Sequence, residues 1–145
     1  MRGSAAARID EKGRLKVPGM FRGDIQDKQG PDVFVTSLTG ESVRIYPMAV
    51  WLEVERRLMQ MPRNHPTRLK FLDRVNYFGQ MAELDGQGRV LIHQRLRDSA
   101  SMAGEVDVFG QYDHLEVWNH ERFVSKLHRE PFTDDDAKAL SEFGI

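Results

Sequence analysis

The 145-residue chain contains no cysteine, which removes disulfides, thiolate chemistry and cysteine-held zinc in one step. It also lacks any apolar run long enough to span a bilayer, and Met1-Arg2-Gly3-Ser4-Ala5-Ala6-Ala7 has no apolar stretch of the secretory kind. A cytoplasmic protein without a membrane partner is therefore expected. Excess charge of one sign is missing too: 21 Lys and Arg face 22 Asp and Glu, for a net charge of −1 that does not advertise a nucleic-acid partner. No phosphate loop, nucleophile elbow or H-E-x-x-H is present. His65, His93, His114, His120 and His128 show no metal-ligand spacing on a predicted helix. The expectation is a non-enzyme with no cofactor, no metal and no small-molecule substrate.

What the chain does have is a motif that occurs twice. Ile9-Asp10-Glu11-Lys12-Gly13-Arg14-Leu15 returns as Leu84-Asp85-Gly86-Gln87-Gly88-Arg89-Val90 at an offset of 75 residues. Arg22 matches Arg97 at the same offset, and Phe34, Thr36, Val43, Ile45 and Tyr46 match Val106, Val108, Leu115, Val117 and Trp118 at an offset of 72. Two such units imply an approximate internal twofold axis. One unit of about four short strands and a helix buries too little surface to fold well alone, so a single domain of two intertwined halves is expected. The expected divisions are 2–52 for the first repeat, 53–79 for a helical connector, 80–124 for the second repeat and 125–145 for a C-terminal helix with an acidic tail.

The motif has a mechanical reading. Asp bonds the backbone two residues on and Gly accepts positive φ, so Asp10 and Gly13, like Asp85 and Gly88, should build a hairpin turn. Strand alternation then puts Leu15 and Val17 on one face and Arg14 and Lys16 on the other. The first hairpin should present Arg8, Lys12, Arg14 and Lys16 together. In the second the corresponding residues are Glu83, Gln87, Arg89 and Leu91, which keep only the arginine.

Charge is sorted along the chain. Residues 1–22 carry six basic and two acidic side chains, residues 130–145 one basic and five acidic. A basic head suits phosphate, although solvated charge runs are common. Between the ends, a polar loop is expected from Arg22 to Gly30-Pro31, then strands at Val33–Thr36 and Ser42–Tyr46. A helix after Pro47 with an apolar stripe of Trp51, Leu52, Val54, Leu58 and Met61 ends at Pro62. A second, from Pro66 with Leu69, Leu72, Val75 and Phe78, stops at Gly79. The second unit repeats the strands with a shorter loop. Asn119 should cap a helix holding Phe123, Val124 and Leu127, and Thr133 a short last helix.

Asp10-Glu11-Lys12-Gly13-Arg14-Leu15, Asp85-Gly86-Gln87-Gly88-Arg89 and Val108-Phe109-Gly110-Gln111-Tyr112 leading to Leu115-Glu116-Val117-Trp118 resemble the bacterial MraZ family, which carries two SpoVT-AbrB modules in one chain. The resemblance covers about residues 2–128. It implies an α+β fold that is mainly β, a double-split β-barrel, a ring-shaped homo-oligomer, and transcriptional control of the division and cell-wall gene cluster from the nucleoid. It places DNA contact on Arg14, Lys12 and Lys16, with Arg89 in the matching place of the second copy. The family's usual proline after the second motif is His93 here.

Each candidate has a plainer alternative. Arg14 could serve only to bridge Asp10 and stiffen the turn, a pair of small energetic worth when exposed. On the functional reading Arg14 reads guanine from a β-ribbon in the major groove, while Lys12 and Lys16 grip phosphate. Arg89 could equally pair with an acidic group of a neighbouring subunit. For the whole chain, the expectation is a regulator binding double-stranded DNA at promoter direct repeats, including its own promoter, because a head-to-tail ring relates its subunits by rotation. The alternative is a structural or protein-binding ring, or an antitoxin-like partner without DNA readout.

Overall fold

The computed structural model describes residues 1–27 and 30–145. Its elements run β1 (Ser4–Ile9), β2 (Arg14–Lys16), α1 (Gly19–Arg22) passing into a π-type turn (Gly23–Asp27), β3 (Asp32–Thr36), β4 (Val43–Pro47), α2 (Met48–Leu58) and α3 (Pro66–Tyr77). The second half follows as β5 (Gln80–Glu83), β6 (Arg89–Leu91), α4 (Gln94–Ala100), β7 (Gly104–Gly110), β8 (Leu115–Asn119), α5 (His120–Arg129) and α6 (Asp134–Ser141). The fold is α+β, with one eight-stranded antiparallel sheet ordered β5-β3-β4-β8-β7-β1-β2-β6. Its two edge strands, β5 and β6, are consecutive in the chain and joined by the second turn, where the Asp85 amide donates to the Arg89 carbonyl at 3.0 Å. The sheet is thus a nearly closed barrel of the split type.

The halves are interleaved. β1 pairs with β7 of the other repeat, and β5 with β3. Two pairs join equivalent strands: β2 to β6 through Leu15 opposite Val90, and β4 to β8 through Arg44 opposite Glu116. Each of those central pairs is related by the repeat offset, 75 and 72 residues respectively, so the pseudo-twofold axis passes through both.

The strand register corrects one sequence match. Val33 and Val35 face the barrel core with Val106 and Val108, whereas Phe34 points outward and is the counterpart of Asp107. The offset in β3 is therefore 73, not 72, and pairing Phe34 with Val106 would turn the strand inside out, as a one-residue slip must.

The barrel is filled by inward residues of both halves, among them Leu15, Val17, Val43, Ile45, Val90, Ile92, Leu115 and Val117, all fully buried. A second cluster lies outside the barrel, where α2 and α3 cover β3 and β4: Trp51 stacks on Phe34 at 4.6 Å and meets Tyr46 at 5.0 Å, with Val75 beneath. The apolar stripes of these helices are narrower than the sequence suggests. Trp51 and Val54 of α2 and Phe71 and Val75 of α3 face the sheet, while Leu52 and Leu69 point to solvent. Arg68 is buried instead, donating to the Met61 carbonyl at 2.7 Å and so tying α3 to the end of the segment after α2. On the other flank α5 covers β7 and β8 through Phe123, which meets Phe109 at 4.4 Å and Trp118 at 5.8 Å.

Two segments expected as loop are helical. Residues 19–27 form α1 and the π-type turn, and residues 94–100 form α4. Positions 28 and 29 of the expected loop lie outside the described residues. The helix ends follow simple capping chemistry: Asn119 Oδ1 accepts from the Arg122 amide at 3.1 Å, and Thr133 and Asp136 form a reciprocal capping box. No helix among the described residues is long and apolar enough to cross a membrane.

Candidate nucleic-acid interface

Both turns are built alike. In the first, Asp10 Oδ1 accepts from the Lys12 and Arg14 amides and Oδ2 from Arg14 Nε, each at 2.9 Å. In the second, Asp85 makes the same three bonds to the Gln87 and Arg89 amides and Arg89 Nε, again at 2.9 Å. Gly13 and Gly88 sit at φ +84° and +74°, in the left-handed region where a side chain is strained. The amide of each donates to the carbonyl of its aspartate at 3.0 Å, closing a type I turn followed by a bulge glycine. Above all the Arg14 amide, then its guanidinium and the Lys12 amide, hold the Asp10 carboxyl below its ordinary value. Asp85 is lowered chiefly by the Arg89 amide.

The two turns also brace each other. The Val17 amide donates to the Gly88 carbonyl at 2.9 Å and the Ile92 amide to the Gly13 carbonyl at 3.0 Å, so each strand that leaves one turn is bonded to the other turn. Past those bonds the chain enters α1 or α4 and returns an arginine: Arg22 lies against Gly88 and Arg97 against Gly13. A Cβ added at either glycine would run into the guanidinium of that arginine.

Arg14 has one edge engaged and one edge open. Nε is committed to Asp10, as the turn-stiffening alternative requires, yet the side chain is 29% exposed and its terminal nitrogens have no bonding partner among the described residues. Arg89 is the same, at 28%. A guanidinium held by one edge and free at the other is a preset fork.

The strand register brings the expected cations together in a way the hairpins taken singly do not show. β2 lies between β1 and β6, with Lys16 opposite Arg89 and Arg14 opposite Leu91. Arg8 precedes Ile9, which pairs with Leu15, so Arg8, Lys16 and Arg89 lie in one outward row across three adjacent strands. Strands about 4.8 Å apart make that row roughly 10 Å wide. Lys12 stands at the tip of the first turn and Gln87 at the tip of the second. The second repeat looks poor in charge on its own, but Arg89 receives Lys16 as its neighbour from the first. While helices cover the outside of β3, β4, β7 and β8, the outside of β1, β2, β6 and β5 stays open, with Arg8, Lys16 and Leu91 exposed on the first three and Met81 and Glu83 on β5.

Four of the five histidines serve the scaffold. His65 Nδ1 caps α3 by accepting from the Thr67 amide, His93 lies 2.7 Å from the Phe78 carbonyl, and His114 stacks on Tyr46. His120 pairs with Asp107 at 2.7 Å. Arg22 and Arg97 have no role within their own hairpins, and the sequence sign of their importance is that they repeat at the same offset as the turns.

Fold and site together define a duplicated, interleaved barrel with a pair of arginine-bearing turns beside an outward row of Arg8, Lys16 and Arg89, flanked by Glu105 opposite Arg8. Known proteins share the whole chain. The family described as "MraZ protein, putative antitoxin-like" matches residues 80–143. The chain is 49% identical to the transcriptional regulator MraZ of Acidobacterium capsulatum over 144 residues, covering 99% of both chains. It is 46% identical to that of Koribacter versatilis with the same coverage, and 34% identical to that of Leuconostoc citreum over 93% of this chain and 92% of the relative. The chain belongs to the MraZ family.

Proposed function

We propose that the protein is a DNA-binding transcriptional regulator that reads double-stranded DNA with the outer face of β1, β2 and β6. One observation carries the reading: the pairing of β2 with β6 sets Arg8, Lys16 and Arg89 in a row beside Arg14 on a part of the barrel that no helix among the described residues covers. The major groove is about 12 Å wide and admits a β-ribbon, and this row is of that size. Within it Arg14 and Arg89 face guanine with their free edges, Leu91 beside Arg14 offers an apolar contact to a thymine methyl, and Lys12, Lys16 and Arg8 meet phosphate. Asp10 and Asp85 do not repel the duplex as free carboxylates would, because each is neutralised by its own arginine.

One copy supplies five such cations, two of them already paired with Asp10 and Asp85, fewer than tight specific binding at physiological salt needs. Several copies in a ring, laid along one duplex, supply the rest through effective concentration. Neighbours in a ring are related by rotation, so the operator is a set of direct repeats, placed upstream of the division and cell-wall genes and of this gene itself, with the protein at the nucleoid.

The test is a fluorescence-anisotropy titration against the DNA upstream of its own gene. Native protein should bind it over scrambled DNA, and Arg14→Ala should lose roughly 10- to 100-fold of that preference, the worth of about one bidentate base contact. Unchanged preference in a folded Arg14→Ala protein refutes the ribbon contact. Light scattering tests the ring separately.

A second reading has one observation in its favour. Phe132, Phe143 and Ile145 around the acidic α6 are 70%, 78% and 81% exposed, a surface suited to a protein partner. A protein-holding, antitoxin-like role would use that end and leave promoter binding absent.

A further inference from the structure

Arg22 and Arg97 carry no base or phosphate in the reading above, yet each occupies a place that only the duplicated fold can create. Arg97 projects from α4 against Gly13 of the first turn, and Arg22 projects from α1 against Gly88 of the second. Gly13 and Gly88 are buried although both sit in turns, because the arginine of the other repeat roofs them. Arg97 is held there from behind: its Nη2 donates to Gln94 Oε1 at 2.9 Å, while Gln94 Nε2 donates to Asp98 at 2.7 Å. Its Nε is buried without a partner among the described residues. An unpaired buried donor is costly, so close packing on the turn backbone is what the position serves. A planar guanidinium can lie flat on a peptide; a lysine ammonium cannot.

The turn under each roof is the segment that aims Arg14 or Arg89. The Gly13 amide closes the first turn on the Asp10 carbonyl, and the next residue is Arg14, whose own amide is bonded to Asp10. A turn free to rock would leave the guanidinium tethered but poorly aimed, and groove readout tolerates little misplacement.

We infer that Arg22 and Arg97 are positioning residues that act crosswise: Arg97 fixes the turn that aims Arg14, and Arg22 fixes the turn that aims Arg89. The functional half of this inference rests on the DNA reading above; the crosswise half stands without it. Neither arginine contacts the duplex, and the two ribbon arginines are each aimed by the other repeat. The pattern appears twice, at the same 75-residue spacing as the motif itself.

Amide hydrogen exchange on the full-length protein separates the possibilities. In Arg97→Ala, exchange at Lys12, Gly13 and Arg14 should rise about tenfold while Gln87, Gly88 and Arg89 keep native rates, and Arg22→Ala should give the mirror result. Arg97→Lys retains the charge and the stem, and guards against simple misfolding of the alanine variant. It should show the same crossed rise. Equal loosening of both turns, or loosening confined to the mutated repeat, overturns the inference. On DNA, Arg97→Ala should lose preference for the promoter over scrambled sequence while the salt dependence of binding stays native, because no phosphate contact is removed. A crossed exchange pattern with native promoter preference overturns the positioning role. Failure of the native protein to bind DNA refutes the functional reading and leaves the crossed exchange to be judged alone.

Discussion

Lys16→Ala isolates one cation of the proposed face with little risk to the fold. Lys16 is exposed, makes no ion pair among the described residues, and alternates with the buried Leu15 and Val17, so its removal leaves the barrel packing intact. Its place opposite Arg89 makes it the link between the two repeats' contributions. If it neutralises one phosphate, log K against log salt should become shallower by about 0.9 for each engaged copy. Referred to 1 M salt, that slope corresponds to a loss of about 15-fold at 0.05 M and about 6-fold at 0.15 M per copy. Anisotropy titrations at four or five salt concentrations measure it. Lys70→Ala, which removes an exposed cation on α3 at the helical cover of the barrel, should leave the slope native. A Lys16→Ala protein with the native slope, or a Lys70→Ala protein with the same loss, would show that the open face of β1, β2 and β6 does not meet phosphate.

Gly88→Ala places a side chain at φ +74° and into Arg22, and should cost about 1–3 kcal/mol in urea unfolding; an unaltered midpoint would refute the packed roof. Trp51→Ala empties the centre of the outer aromatic cluster and should cost about 3–5 kcal/mol by the same measurement while leaving the salt slope of DNA binding unchanged. Two pH effects of opposite sign are expected. The lowered carboxyls of Asp10 and Asp85 contribute stability that is complete above their ordinary value near 3.8 and is lost as pH falls through their folded values, so a double Asp→Asn variant should flatten the acid limb of the thermal-melting profile. His120 is raised, chiefly by its bond to Asp107 and further by Glu105 and Glu121. Its stabilisation is complete below 6.5 and lost as pH rises through the higher folded value, a step that Asp107→Asn should shrink to the part due to Glu105 and Glu121.

The turns were legible in the sequence because everything that makes them is local: an aspartate, a glycine three residues on and an arginine beside it. The pairing of β2 with β6 was not, since it joins segments 75 residues apart, and only that pairing gives Arg89 its basic neighbour. The slip at Phe34 arose because β3 is apolar on both faces, its inner side filling the barrel and its outer side meeting Trp51, so alternation could not fix the register. Helix α4 gives little periodic signal because it is seven residues long, although Ile92, Leu96 and Ala100, all fully buried, recur every four residues. Arg22 and Arg97 were visible as a repeated pair, but their purpose lies in glycines of the opposite half and no local pattern shows it.

The pair on the internal axis has a consequence for the chain as a single piece. Arg44 and Glu116 face each other at the one position of β4 and β8 that maps onto itself, with Arg44 Nε 4.0 Å from Glu116 Oε2. In a dimer of two identical halves the same residue would stand on both sides of that axis, arginine against arginine or glutamate against glutamate. Opposite charges there are open only to unlike halves. Separately expressed halves should therefore choose each other over their own kind, and covalent linkage lets one polypeptide carry a two-sided site whose sides differ.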